Sequence, residues 1–301
     1  MFGYFRLLKV TFSLWTYQNN QIFSRENLSP FDLAFDIPND IDPVSGIYFP
    51  SYPTVKILPK LSLQTGRICY IPTQYRRFYT NLTGTFDEYK NKFSGKSKAN
   101  LLKKIHKFRE FSGGEICWKV YRTSEEARDF CALARTLSLK TYQDKMLYLG
   151  FPKTKEFEQH VCMLAAEDNF RGYILFYKAV PIAYSYCPCV NGVVLYHFSG
   201  YDPQFREYSV GIVLQYLLLQ SLFEEKKFQY FDYAQGEWPH KEFFSTDSVI
   251  CANIYLFNFT ARNFILVGLH LCVTFVASLF ITILKKCNFY GKIKKIIRFG
   301  F

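Results

Sequence analysis

The chain has 301 residues, 49% of them hydrophobic and 21% charged, which excludes a disordered protein and leaves room for one large domain or two modest ones. Its net charge of +12 is concentrated: eight Lys/Arg and no acid lie between Lys90 and Arg109, and six more lie from Lys285 to Phe301. Without those 14 the rest holds 23 bases against 25 acids, so the basicity belongs to two segments and not to the body.

The nine cysteines are scattered through apolar runs with no C-x-x-C pair, the usage of reduced, buried thiols in a cytosolic protein. Cys187 and Cys189 form a C-P-C too close for an ordinary metal site, and no metal is expected. The start, "MFGYFRLLKVTFSLWTYQNNQ", is interrupted by charge and has no small-residue cleavage site, unlike a signal peptide.

Residues 1–85, rich in Pro, Asn, Asp and aromatics, read as short strands and loops. "SGKSKANLLKKIHKFREF" reads as a helix capped near Ser97, with Leu101, Leu102, Ile105 and Phe108 on one face and Lys103, Lys104 and Lys107 opposite. Lys98 falls at the edge of the apolar face. A strand in "GGEICWKVYR" and a second helix, "SEEARDFCALARTLSLK", with Ser124 as its cap, come next. "GYILFYK", "PIAYSYC" and "VVLYHFSGY" are three β-rich runs, the last two joined by the Asn-Gly of "VNGV", which favours a tight hairpin. A long apolar helix from Val210 to about Lys227 and a returning strand, "FQYFDYA", complete a strand–helix–strand unit in a mixed α/β core. From Phe264 to Leu284 there are 21 uncharged residues followed by the basic tail. That stretch reads as a docked helix ahead of one lying in a membrane surface or spanning it, because a crossing would send the basic tail outward.

The start of the long helix, "FREYSVGIVL", raises a question of chemistry. A helix N-terminus presents unpaired N–H groups and the positive end of its dipole, which suits phosphate. Here the amides of Val210, Gly211 and Ile212 would face the ligand, Ser209 stands at the threshold, and Arg206 is placed to pair with the phosphate charge. Glycine inside a helix costs about 1 kcal/mol relative to alanine, so Gly211 needs a reason. Two readings stand: it lets a pyrophosphate reach the backbone, or it lets the helix pack tightly on the sheet with Ser209 as a routine cap.

Three blocks, "FSGKSKANLLKKIHKF", "SLKTYQDKMLYLGF" and "GYDPQFREYSVGIVLQYLLLQSLFEEKKFQYFDYAQGEWPHKEFFST", give the chain its resemblance to the GNAT acyltransferases, and within them to the CelD/BcsL type, relatives of the Fem peptidyltransferases. The resemblance covers roughly residues 86–260. It implies a mainly antiparallel, mixed α/β (α+β) sheet flanked by helices at 86–260, a partial N-terminal lobe at 1–85, and an apolar helix with a basic tail at 261–301. It also implies N-acyl transfer from acetyl-CoA or another acyl-CoA to a small-molecule amine or amino sugar, in cell-envelope or polysaccharide metabolism. The setting is the cytoplasm, extending to a peripheral place on the inner membrane face through 264–301; nucleic acid is not an expected partner.

Such transfer needs a base for the amine, a donor that polarises the thioester carbonyl, and a proton for the leaving thiolate. Asp232 or Glu237 is the candidate base, His240 or Tyr201 the donor to sulfur, and a backbone N–H between His197 and Gly200 the polarising group. The resemblance assigns Lys241 to substrate or phosphate charge, and Lys98, Tyr142 and Gln143 to the acceptor site. The chain departs from the family at Val210, Ile212 and Gln235, where proline, threonine and an acid are usual. Two alternatives accompany this reading: an aminoacyl-tRNA-dependent Fem-like ligase, and a non-catalytic scaffold at the membrane surface.

Overall fold

The computed structural model describes residues 14–16, 46–64, 66–141 and 150–286. Its elements in chain order are β1 (Leu14–Thr16), β2 (Gly46–Thr54), β3 (Leu61–Gln64), β4 (Arg67–Asn81), α1 (Phe86–Lys90), α2 (Gly95–Phe111), β5 (Trp118–Tyr121), α3 (Ser124–Ser138), α4 (Lys155–Ala166), β6 (Phe170–Tyr177), β7 (Val180–Val190), β8 (Val193–Leu195) and β9 (Phe198–Tyr201). A 3-10 helix (Pro203–Tyr208) then leads into α5 (Val210–Glu225), β10 (Tyr230–Asp232), α6 (Pro239–Phe244), β11 (Asp247–Asn258) and α7 (Ala261–Lys286).

Two compact units divide the chain, one holding the residues up to Arg77 together with Val249 onward, the other Phe78–Ser248. The boundaries expected at 85 and 260 therefore shift. The reason is β11, which pairs antiparallel with β2 from Ile250↔Thr54 to Phe257↔Gly46 and so joins the N-terminal lobe. In that unit β3 pairs with β4, β1 runs parallel to β2, and α7 lays Val267 and Leu271 on a patch made by Ile68, Tyr70, Tyr255 and Phe257.

In the second unit the sheet runs β10–β8–β7–β6–β5, with the last residues of β4 on the outer side of β10 and β9 on β7. All of its pairs among the described residues are antiparallel except β10 with β8, strands separated in sequence by β9 and α5. Period-2 alternation covers both faces. Tyr173, Leu175, Cys187 and Cys189 face a core with α1, α2 and α5, whereas Ile174, Tyr184 and Tyr186 face α3 and α4. The Asn-Gly turn forms as read: Asn191 (φ +50°) and Gly192 (φ +78°) both take the left-handed backbone that a two-residue hairpin requires.

Two caps move. Ser94, not Ser97, caps α2 and accepts the Ser97 N–H. Thr123, not Ser124, caps α3, because Glu126 three residues on returns its carboxylate to the Thr123 N–H and closes a capping box. At the far end of α5, Arg171 is buried against Glu225 and Asp168, with its guanidinium over the Phe228 ring.

Candidate active site

The turn into α5 is held from both sides. Asp202 is buried, accepts the Gln204 N–H (3.1 Å) and pairs with Lys140 Nζ at 2.7 Å, which ties the 3-10 helix to the end of α3. Lys107 on α2 donates to the Glu207 carbonyl (3.0 Å) and lies 5.1 Å from the Tyr208 ring centroid. Lys107 is exposed, as the outward face of α2 predicts. It reaches the turn because α2 packs along α5.

Ser209 differs from its expected role. Its backbone is left-handed (φ +54°) and its hydroxyl caps nothing. That conformation turns the chain from the 3-10 helix into α5 and aims the Ser209 carbonyl along the new axis. It accepts the N–H of Ile212 (2.8 Å) and of Val213 (3.1 Å). The Ile212 amide is therefore taken. Those of Val210 and Gly211 precede the first helical bond and have no backbone partner among the described residues. Val210 buries its side chain completely, and Arg206 is exposed on the 3-10 turn.

Glycine geometry separates the two readings of Gly211. A Cβ there would meet only Tyr201 Cδ1, at 3.6 Å, an ordinary contact, and its φ is not left-handed. Neither tight packing nor backbone strain calls for glycine at this position. Gly200 is the opposite case: a Cβ would stand 2.7 Å from the Tyr184 ring and 2.9 Å from Thr141 Cγ2. Gly200 is thus the packing glycine, and Gly211 leaves open space beside Tyr201.

The strand before the turn has an unpaired edge. β8 and β10 pair from Val193↔Tyr230 to Leu195↔Asp232, and the Tyr196 N–H to the Asp232 carbonyl (2.8 Å) is their last bond. β9 then continues on β7 alone, from Phe198↔Tyr186 to Tyr201↔Ala183, while the chain after Asp232 turns away through Ala234 (φ +54°). Antiparallel ladders alternate. Because the Asp202 N–H bonds Ile182 on β7, the N–H groups of Tyr201 and Ser199 face the unpaired edge. The His197 N–H is spent on the Tyr186 carbonyl (3.2 Å), so the polarising amide expected between His197 and Gly200 narrows to Ser199. The His197 ring stacks on Phe198 at 4.4 Å between centroids.

Tyr196 went unnoticed in the sequence. It stands where β8 and β10 part, with its ring 5.7 Å from Phe231 and 6.5 Å from His240. Burial pushes its phenol up to about 12, against hydrogen bonds to Ser199 and Ser185 that pull the other way. Only the break in strand pairing marks this residue, and one sequence carries no sign of it.

The remaining candidates scatter. Asp232 is fully buried and accepts the Ala234 N–H (2.8 Å), and Lys241 is buried with Nζ donating to the Gln235 carbonyl (2.7 Å). Both hold the 234–236 turn, with the Lys241 side chain directed inward onto it. Glu237 is exposed and His240 half-buried at the start of α6. Lys98 is half-buried in the first turn of α2, next to Ser97, which lines a pocket of about 340 Å³ with Lys92, Glu242 and Phe243. Tyr142 and Gln143 lie outside the described residues.

Residues 95–242 match the family described as Acetyltransferase (GNAT) domain. No curated protein matches the chain. Among solved structures it is similar to a C-terminal domain (DUF2156) from Agrobacterium fabrum assigned to lysylphosphatidylglycerol synthetase, at 11% identity, TM-score 0.48, over 77% of this chain and 72% of that one. FemX aligns at 10% identity and TM-score 0.46 over 74% of each chain. The ribosomal-protein-S18-alanine N-acetyltransferase of Escherichia coli aligns at 12% identity and TM-score 0.31, over 48% of this chain and 93% of that one.

Proposed function

We propose that this chain, which carries a GNAT-type acetyltransferase domain over residues 95–242, transfers an acyl group from acyl-CoA to an amine. The observation that carries the reading is the unpaired edge of β9, which runs from the parting of β8 and β10 to a helix start where Gly211 leaves room beside Tyr201. The paired phosphates of the donor lie on the N–H groups of Val210 and Gly211 with Arg206 beside them, and the pantetheine arm fills the gap left by the missing strand. This is the CelD/BcsL-type arrangement that the sequence resembles, in a cytoplasmic enzyme of envelope or polysaccharide metabolism.

The amine nitrogen attacks the thioester carbon, a C–N bond forms and the C–S bond breaks. The Ser199 N–H stabilises the carbonyl oxygen as it gains charge. Glu237, directly or through water, takes the amine proton, and His240 returns one to the sulfur while Tyr196 hydrogen-bonds it. Tyr201 lines the path of the arm. Asp232 and Lys241 hold the loop that carries Glu237, and Lys98, Tyr142 and Gln143 receive the amine or amino sugar.

Isothermal titration with acetyl-CoA and with CoA tests the donor: both bind in the micromolar range, and no heat from either at millimolar concentration overturns the reading. Within it, Gly211→Glu places a carboxylate on the phosphates and weakens binding at least about a hundredfold with an unchanged melting temperature; equal affinity removes the phosphate site.

A second reading takes aminoacyl-tRNA as donor, favoured by the exposed Lys103 and the position of Lys107 at the turn. Phosphate contacts make such binding fall steeply with salt. Titration with tRNA at two ionic strengths decides it: tight, salt-sensitive binding beside silent CoA titrations replaces the first reading.

A further inference from the structure

The helix α7 carries its polarity the wrong way round for a surface helix in water. Over Ala261–Ile283 it is long and apolar enough to cross a membrane, yet only Asn263, Val267 and His270 of that stretch are buried. At 3.6 residues per turn, Asn263, Val267, His270 and Thr274 form one stripe. The first three are buried, and His270 Nδ1 is hydrogen-bonded to the Tyr70 hydroxyl. The opposite half carries Phe264, Ile265, Leu269, Val276, Phe280 and Ile283, all between 49% and 63% exposed. Asn263 and His270 point into the protein, Ser278 and Thr282 are exposed at the flank, and the half opposite His270 is apolar from Phe264 to Phe280. That face continues for about 24 Å at 1.5 Å per residue, far beyond the isolated exposed apolar residues usual on soluble proteins.

We infer that α7 inserts its outward half into the hydrocarbon boundary of a lipid bilayer and lies along the membrane surface. Lipid is the occupant that the charge pattern selects. The outward face offers no hydrogen-bonding partner to a polar protein, and the sequence from Lys285 to Arg298 adds six cations and no anion for anionic headgroups. A crossing is excluded by the docking of the first half. There α7 leans on β4 and β11 through Tyr70, Tyr255 and Phe257, and the apolar residues left after Leu271, 272–284, reach only about 20 Å at 1.5 Å per residue, short of the roughly 30 Å of a hydrocarbon core. A helix held by one stripe and apolar on the other has the geometry of a monotopic anchor, sunk about 5–10 Å below the headgroups. The inference is independent of the acyl donor.

The experiment uses the full chain with vesicles of phosphatidylcholine containing one-third phosphatidylglycerol, in flotation. Wild type floats, and V276D/F280D, which alters two side chains at 63% and 60% exposure, floats at least tenfold less with an unchanged circular dichroism spectrum. Wild type that stays below the vesicles, or a double variant that floats like wild type, overturns the inference. So does complete release of wild type at 0.5 M salt, since the tail alone would then hold the protein. With vesicles present, protease added outside removes the tail; a protected tail reports a crossing helix and overturns the surface geometry. A lipid-free dimer by sedimentation that V276D/F280D dissociates assigns the face to a second copy and overturns it as well.

Discussion

α5 and α7 look alike as strings of letters and lead opposite lives. α5, "VGIVLQYLLLQSLFEE", buries Val210, Val213, Leu214, Leu218, Leu219 and Leu222, with partners on both the sheet and the neighbouring helices α1 and α2. α7 is longer and as apolar, but it touches its unit along one stripe and leaves the rest exposed. Hydropathy reports how much a helix avoids water and says nothing of what replaces the water. For α5 the replacement is protein on every side, so its apolar residues show no preferred face. For α7 the protein supplies one side only, and the polar residues mark which one.

Deep truncation is the strongest way to break this comparison. Leu218→Ala, at a fully buried site, lowers unfolding free energy by about 2–5 kcal/mol, whereas Leu279→Ala, 47% exposed in α7, stays within about 0.5 kcal/mol without lipid. Urea melts of both variants check it, and equal losses would mean that α7 is as enclosed as α5. Next come the two glycines at the other end of α5. Gly200→Ala drives a methyl into Tyr184 and Thr141 and costs about 1–3 kcal/mol. Gly211→Ala meets only Tyr201, leaves stability unchanged or slightly raised, and weakens CoA binding. A Gly211→Ala chain that melts as early as Gly200→Ala would return Gly211 to a packing role.

The smallest effect is in the acid limb. Partial burial works to raise the Asp168 carboxyl, but hydrogen bonds and charge from Lys227 and Arg171 outweigh it and hold it below the usual carboxylate range. A depressed folded value contributes stability above the unfolded pKa, lost as pH falls through it toward the folded one. Asp168→Asn therefore flattens the loss of stability below about pH 4. α7 has no carboxylate between Ala261 and Lys286; burial holds His270 below the usual imidazole range, so its docking weakens as pH falls through about 6.5, above that limb. An unchanged acid limb in Asp168→Asn would show the pair to be screened.

Much of the second unit was legible in the letters because its signals are local. Asn191-Gly192 specifies a hairpin by backbone sterics alone, the apolar face of α2 by its period, and the strand–helix–strand order by the change of period around Val210. The caps slipped by a few residues because several Ser and Thr near a helix start compete, and the winner depends on backbone angles and on the glutamate that answers. The turn that carries Arg206 and Gly211 was legible as the start of α5, whereas the surroundings of the other candidates were not. Asp232 and Lys241 have the right chemistry for a site, yet both side chains are folded inward onto the 234–236 turn. Tyr196 matters only because β8 and β10 part beside it.

The sequence by itself determined where helices and strands lie, which amides begin α5, and that the chain holds a long uncharged stretch, since each follows from neighbours within a few turns. Only the tertiary structure decided which amides stay unspent, which glycine has room above it, and which half of α7 is left without protein. Those outcomes depend on contacts between residues far apart in the chain, where a hydrogen bond made to one partner is withdrawn from every other.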